Sequence, residues 1–402
     1  MGVCASSASL AAEPSFESFD KRAASGERLT VAFLGGSLTW GALASDPNKT
    51  SYRAIVSRNL EEKYPKAHFK FVDAAIGGTG SQLGAYRLDR DVLPYKPDLM
   101  FLDFTLNDGM NRLTPDTLAS HEAIIRRMIT EAGCPVVQVF TAGKSHVTEG
   151  STDKMLRRTA HIELAKVYNV PCGDAISLMQ EKFKKGEIDL DKIWPPETFD
   201  TTHPGDNGYE LYAEAAWDAY LKAVAGKVVC KAPEKMINES TYMHVARVRL
   251  SSLAPLPQGW RITRPSSDYC GFDFLMTRWL DDLTIASNYI PLDRTKTKPI
   301  PPTEPLKLKF KGSTVLFFGS STPNSGKLKA LIDGKEKTLN FCQLGPSNYG
   351  RAVVLVAEGL DPKVEHSLVI EPLFESPEKL AEICIESVCV AGSDGASVVK
   401  AQ

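Results

Sequence analysis

No run of apolar residues in this 402-residue chain approaches the roughly 20 that a membrane-spanning helix requires, so a helical bilayer span is not expected. Charge of one sign is also missing: 47 basic and 49 acidic residues leave a formal net charge of −2, and the basic ones are scattered along the chain. That excludes the electrostatic footprint of a nucleic-acid binder and favours neutral or weakly charged substrates. The eight cysteines, at 4, 134, 172, 230, 270, 342, 384 and 389, form neither a CxxC pair nor a Cys/His cluster at metal-ligand spacing. Most read as buried small apolar residues. An even count permits disulfides without demanding them, and Cys384 with Cys389 is the only near pair. A dinucleotide-binding turn is lacking too. In "GGTGSQLG", Gly78 and Gly80 are followed by Leu83 at the third glycine position and Gly84 comes one residue late, which removes the basis for a hydride-transfer enzyme. Internal repeats are absent.

What the chain has is length enough for two domains, each with its own core. From residue 29 to about 225, apolar runs of strand length alternate with segments of helical period. The strand candidates are 29–35 (LTVAFLG), 68–75 (HFKFVDAA), 98–105 (DLMFLDFT), 135–141 (PVVQVFT) and a weaker run near 170–174. Their near-continuous apolarity is what parallel strands covered on both faces require. Between them, Tyr52, Ile55, Val56 and Leu60 recur at helical spacing, Thr114-Pro115 opens a helix that Gly133 ends, and a third helix over 207–225 stops at Gly226. The alternation predicts an α/β fold with a doubly wound parallel sheet.

Beyond about 230 the period changes. "LKLKF" at 306–310 alternates with period two, Asp333-Gly334 signals a hairpin, and 352–357, 366–370 and 385–390 read as short strands. An antiparallel β-sandwich, jelly-roll-like, is expected over 306–402, after an α/β domain over 28–228. An irregular connecting region is expected over 229–305, with "KTKPIPPTEP" at 296–305 as a linker or extended wrap. Residues 1–27 form an N-terminal segment. Its first part, "MGVCASSASLAA", is small and uncharged with a small-x-small pattern at Ser9 and Ala11, similar to the end of a secretory signal. A secreted or periplasmic location is expected on that ground, and a cytoplasmic one is the alternative.

In a parallel α/β sheet, ligands bind beyond the carboxyl ends of the strands. Three successive strand ends lead into informative loops: Ser37 in "VAFLGGSLTWGAL", "IGGTGS" at 76–81 and "LND" at 106–108. "DTTHPGDNGY" at 200–209 closes this half of the chain. A serine hydroxyl is a poor nucleophile until a positioned base takes its proton, and an imidazole held by a carboxylate is the usual base. Asp200 and His203 stand three residues apart, so one turn can supply both. Attack by serine creates an oxyanion, for which the Ser37 N–H, an N–H in the second loop and the Asn107 amide are candidate donors. Taken alone, Ser37 would suit a helix cap better than a nucleophile.

These blocks together resemble the SGNH, or GDSL, hydrolases. That family carries its nucleophilic serine in a G-D-S-L block, a glycine after the second strand, an asparagine in G-x-N-D, and D-x-x-H-P near the end of the domain. Here "GGSL" (35–38), "DAAIGGTGS" (73–81), "TLND" (105–108) and "DTTHP" (200–204) stand in that order. The resemblance implies a flavodoxin-like sheet, Ser37 as nucleophile, His203 as general base, Asp200 as its orienting carboxylate, and Gly78 and Asn107 as oxyanion donors beside the Ser37 N–H. Gly78 is preferred to Gly77 because "VDAAIGG" lines up with the family's V-N-A-x-I-x-G. Two departures stand out: Gly36 replaces the aspartate of the first block, and Thr105 the glycine of the third. No metal or organic cofactor is implied.

The expected activity is that of a serine esterase acting through an acyl-enzyme. No lid-like apolar insertion is visible, which favours small acyl groups, and an SGNH domain joined to a β-sandwich resembles two-domain carbohydrate acetylesterases. A small-molecule or polysaccharide ester is the expected partner. The alternatives are a lipolytic esterase or thioesterase with the same triad and, from another class, a non-catalytic glycan-binding protein. Trp40, Trp260 and Trp279 are candidate sugar platforms, with ordinary packing at least as good a reading for each; Trp40, about one helical turn past Ser37, is the best placed. His121 falls on an apolar helix face as a packing residue, and His68, His146, His161, His244 and His366 read as structural or surface groups. Nothing in the sequence sets the oligomeric state.

Overall fold

The apolar runs of the first half become five strands, β1 (Arg28–Gly35), β2 (His68–Ala75), β3 (Leu99–Asp103), β4 (Val136–Phe140) and β5 (Cys172–Asp174). They pair in the order β2-β1-β3-β4-β5, each pair parallel, which is the flavodoxin-like doubly wound arrangement with its switch point between β1 and β3. The structure is a computed structural model and describes residues 13–264, 282–289, 302–343, 350–376 and 379–401. The chain divides into two units, Met1–Asn238 and Glu239–Gln402.

In the first unit the strands alternate with helices α1 (Phe16–Ala24), α2 (Ser37–Trp40), α3 (Tyr52–Lys63), α4 (Ser81–Asp91), α5 (Pro115–Thr130), α6 (Lys144–Thr148), α7 (Leu156–Tyr168), α8 (Ala175–Lys184), α9 (Leu190–Ile193) and α10 (Asp206–Ala225). Every residue of β3 and β4 is buried, as central parallel strands covered on both faces must be. Helix α5 starts where the sequence signals it: Thr114 Oγ1 accepts from Thr117 N, and Pro115 occupies the first turn, where its missing N–H is no loss. Helix α10 buries Tyr209, Tyr212, Ala216 and Tyr220. It passes β5 at backbone contact, because a Cβ on Gly173 would lie 2.8 Å from Ala215 O.

The N-terminal segment needs correcting. Residues 16–24 form a helix of this unit, with Phe16 and Phe19 buried and their rings 6.2 and 6.0 Å from that of Tyr220, while the signal-like residues 1–12 lie outside the described residues. Phe16 N donates to Val228 O at 3.0 Å and Cys230 N to Pro14 O at 2.9 Å, joining the two ends of the unit.

The second unit is antiparallel. Its strands are β6 (His244–Arg249), β7 (Trp260–Thr263), β8 (Leu283–Ser287), β9 (Leu306–Lys311), β10 (Thr314–Ser321), β11 (Lys327–Ile332), β12 (Lys335–Asn340), β13 (Gly350–Ala357), β14 (Glu365–Leu373), β15 (Glu382–Gly392) and β16 (Ser397–Lys400). One sheet runs β13-β10-β15-β8-β7, with β6 also paired to β15; the other runs β12-β11-β14-β9-β16. Side chains of both sheets, among them Leu308, Phe310, Phe317, Ile370, Ile385 and Val388, form a single apolar core, which makes the unit a β-sandwich. The alternation read in "LKLKF" is the alternation of burial along β9. Asp333 and Gly334 both take positive φ, 50° and 78°, as a two-residue hairpin between β11 and β12 requires.

The stretch 229–305, expected as an irregular connection, supplies β6, β7 and β8 to the sandwich, while its residues 265–281 and 290–301, with most of "KTKPIPPTEP", lie outside the described residues. Trp260 is buried in the sandwich core and its Nε1 donates to Glu304 O at 2.9 Å; Trp279 lies outside the described residues. The six described cysteines, Cys384 and Cys389 included, are free thiols.

Candidate active site

β1 ends on two glycines that are there for lack of room. A Cβ on Gly35 would lie 2.1 Å from Thr39 Oγ1 and 2.7 Å from Asp103 O, and one on Gly36 would lie 2.2 Å from Asn107 Oδ1. The chain can therefore turn tightly from strand into α2, and Ser37, the first residue of that helix, sits in the crowded corner at 5 % exposure. Its Oγ is 2.7 Å from His203 Nε2.

His203 comes from the loop ahead of α10, and the sequence dictates how that loop folds. Asp200 Oδ1 accepts the backbone N–H groups of Thr202 (2.8 Å) and His203 (2.9 Å), an Asx-type turn of its own making. Its other oxygen, Oδ2, lies 2.7 Å from His203 Nδ1. One carboxylate thus shapes the turn and orients the ring, which is why a spacing of three suffices. Burial alone would raise the Asp200 pKa, but the His203 ring and the two N–H donors outweigh it and hold the carboxyl below its ordinary value. Neighbouring segments brace the loop: Lys144 N donates to Thr201 O at 2.8 Å, and Asp206 accepts Ser45 N at 2.8 Å and Ser45 Oγ at 2.5 Å.

Asn107 follows β3 in a turn closed by Asp108 N donating to Phe104 O at 2.9 Å. Its amide packs on the Cα of Gly36, next to Ser37, which explains the first departure: the aspartate of G-D-S-L has no space here. The second departure also has a partner, since Thr105 Oγ1 is 3.0 Å from His161 Nδ1. Gly78 takes φ +61° in the turn after β2, closed by Thr79 N donating to Ile76 O at 3.3 Å. Ser37, Gly78 and Asn107 thus occupy the loops beyond three neighbouring strands. Trp40 is the last residue of α2 and is buried at 7 % exposure.

Two buried carboxyls that sequence reasoning passed over, and two buried histidines it read as packing or structural groups, lie behind this turn. Asp103, its Oδ2 accepting from Thr141 Oγ1 at 3.0 Å, is pushed up to about 7 by burial, and burial likewise pushes Asp108 to about 6. His121 and His161 stack at 3.7 Å with planes 10° apart, and burial depresses both, His121 to about 4. Asp108, His121 and His161 bring ligand-capable atoms within 4.8 Å of one another. The group is poorly built for a metal ion, because nearly parallel stacked rings cannot both hold one cation in their planes, where the nitrogen lone pairs point. No spacing signal marks these residues, which come together from β3, α5 and α7 and their loops.

Residues 33–211 match the model of the GDSL-like lipase/acylhydrolase family, a span that includes all four blocks. Two solved structures of a two-domain esterase (CEX) active on acetylated mannans, one of them co-crystallized with mannopentaose, are similar to the chain at 21 % identity and TM-score 0.70. The first match covers 96 % of this chain and 95 % of that one, the second 93 % and 94 %. The acetyl xylan esterase AlAXEase is matched at 20 % identity over 48 % of this chain and 99 % of its own, with TM-score 0.39. No curated protein matches the chain. The likeness to the two-domain structures is one of fold, in both the α/β unit and the sandwich.

Proposed function

We propose that this chain, whose α/β unit resembles the GDSL-like hydrolases, is a serine esterase that removes short acyl groups, acetyl foremost, from carbohydrates through an acyl-enzyme. The observation that carries the reading is the continuous hydrogen-bonded chain from Ser37 Oγ through the His203 ring to Asp200, with both links at 2.7 Å. In the proposed cycle, Ser37 Oγ attacks the ester carbonyl while its proton passes to His203 Nε2. The imidazolium so formed is stabilised by Asp200 through Nδ1. Charge on the carbonyl oxygen is met by the Ser37 N–H, the Gly78 N–H and the Asn107 amide. Collapse of the intermediate expels the alkoxide, which takes the proton from His203. Water then attacks the acyl-enzyme, giving its proton to His203, and Ser37 leaves with that proton as the acid is released.

The carbohydrate part of the reading draws on the fold shared with an esterase active on acetylated mannans, over nearly the whole of both chains. Export belongs to the same proposal, because a polysaccharide is met outside the cytoplasm. The test is hydrolysis of 4-nitrophenyl acetate, butyrate and octanoate, and acetate release from acetylated mannan and xylan, by the wild type and Ser37→Ala. Acetate esters are expected to be cleaved fastest, and the variant to lose activity by about 10⁴-fold or more. A preference for octanoate would move the reading to lipids, and no turnover above the variant on any ester would overturn it.

A further inference from the structure

We propose that Asp108 is a positioning residue that ties the turn bearing Asn107 to the turn bearing Gly78, so that the two oxyanion donors keep one separation; this rests on the serine-esterase reading above. Asp108 directly follows Asn107, and its carboxylate Oδ1 accepts the N–H of Ser81 at 2.8 Å. Ser81 opens α4, and the residue ahead of it, Gly80, has no side chain with which to cap the helix. The carboxylate supplies the cap from another loop, at the end of the helix where the backbone dipole favours negative charge. Gly80 is fitted to this arrangement, since a Cβ there would come 2.4 Å from Asp108 Oδ1. Gly78 lies three residues before the capped amide, inside the short turn that the bond fastens.

The other side of Asp108 is fastened as well. Arg157 Nη2 donates to Asp108 O at 3.2 Å, Arg112 O at 2.9 Å and Thr117 Oγ1 at 2.6 Å, which holds the 108–112 turn against α7 and α5. The Asp108 carboxylate is buried among the imidazoles of His121 and His161, a setting that disfavours any charge-bearing group, while the positive charge of Arg157 works in its favour. An apolar residue would fill the same space at less desolvation cost. It could not accept the Ser81 N–H from the residue adjoining Asn107.

The test compares Asp108→Ala and Gly80→Ala, which break the same contact from its two sides, with Asp108→Asn, which keeps an oxygen for Ser81. For folded protein counted by active-site titration, Asp108→Ala and Gly80→Ala are expected to lower kcat on 4-nitrophenyl acetate by about 10–100-fold with KM within about 3-fold, because the donors act on the transition state. Asp108→Asn should recover most of the loss. In an Asn107→Ala background, where no separation between the two donors is left to keep, the further loss from Asp108→Ala should be clearly smaller than in the wild type, the remainder being the cost of the loosened Gly78 turn by itself. Full kcat in Asp108→Ala, or the same loss in both backgrounds, would overturn the proposal. Amide hydrogen exchange of residues 77–81 gives a readout that needs no substrate: about 10-fold faster exchange in Asp108→Ala is expected, and unchanged exchange overturns the inference whether or not the wild type cleaves esters. Absence of ester turnover by the wild type, with the exchange effect present, would count against the esterase reading alone.

Discussion

Asp200 has two oxygens and three duties: accepting from Thr202 N, accepting from His203 N, and holding the His203 ring. An asparagine in its place can keep the backbone turn through its carbonyl oxygen, but its NH₂ would then face Nδ1 and favour the wrong tautomer of the imidazole. Asp200→Asn is therefore expected to leave the loop folded and lower kcat by about 10³–10⁴-fold with a much smaller change in KM. Steady-state kinetics on 4-nitrophenyl acetate, alongside a thermal melt, measures both. A fall in Tm without a fall in kcat would mean that Asp200 serves the turn and not the ring. The sequence made this residue legible because the hydrogen-bond partners of its carboxylate, Thr202 and His203, lie within three positions of it.

At the scale of elements, the join of β1 to α2 shows how a loop in one part of the chain is shaped by one in another. Gly36 has φ −98°, a value open to any residue, so its lack of a side chain answers to the Asn107 amide and not to backbone conformation. Gly36→Ala must push that amide aside by moving a flexible side-chain end. The expected outcome is a kcat lowered by about 10-fold or more, with KM and Tm close to those of the wild type, because only a transition-state contact is displaced. Retained kcat would show that Asn107 is not needed at the oxyanion. The departure at Gly36 was visible in the sequence as a missing aspartate, but its reason was not. The reason is a contact between residues 71 positions apart, which no local pattern reports.

For the whole molecule, the buried groups behind the sheet's carboxyl edge link stability to pH. Asp103 is paired in register with Gly35 and is pushed to about 7 by burial, so the folded state keeps its proton where the unfolded chain has lost it. Its contribution is fully present below about pH 4 and is lost as pH rises to about 7. His121 and His161 act the other way: their folded values are depressed, so their contribution is present above about pH 6.5 and is lost as pH falls, for His121 through about 4. Asp103→Asn removes the first trend while leaving an acceptor for Thr141. The variant is expected to match the wild type near pH 4 and to exceed it at pH 8 by up to a few kcal/mol. Urea unfolding at the two pH values checks this, and an equal difference at both would rule out the linkage.

The sequence by itself determined the five strands of the α/β half and three of its helices, α3, α5 and α10, the period-two strands and hairpin of the sandwich, and the serine, histidine and aspartate that meet at the strand ends. It could do so because burial leaves a period along the chain, 2 or 3.6, and because Asp200 and His203 interact within one turn. Helix α1, strands β6 to β8 and the buried group of Asp103, Asp108, His121, His161 and Arg157 were decided only by tertiary structure. Short strands such as β7, four residues long, are too brief for a period to register. A buried charge, for its part, takes its meaning from partners that distant segments bring to it, as Ser81 is brought to Asp108 and Thr117 to Arg157.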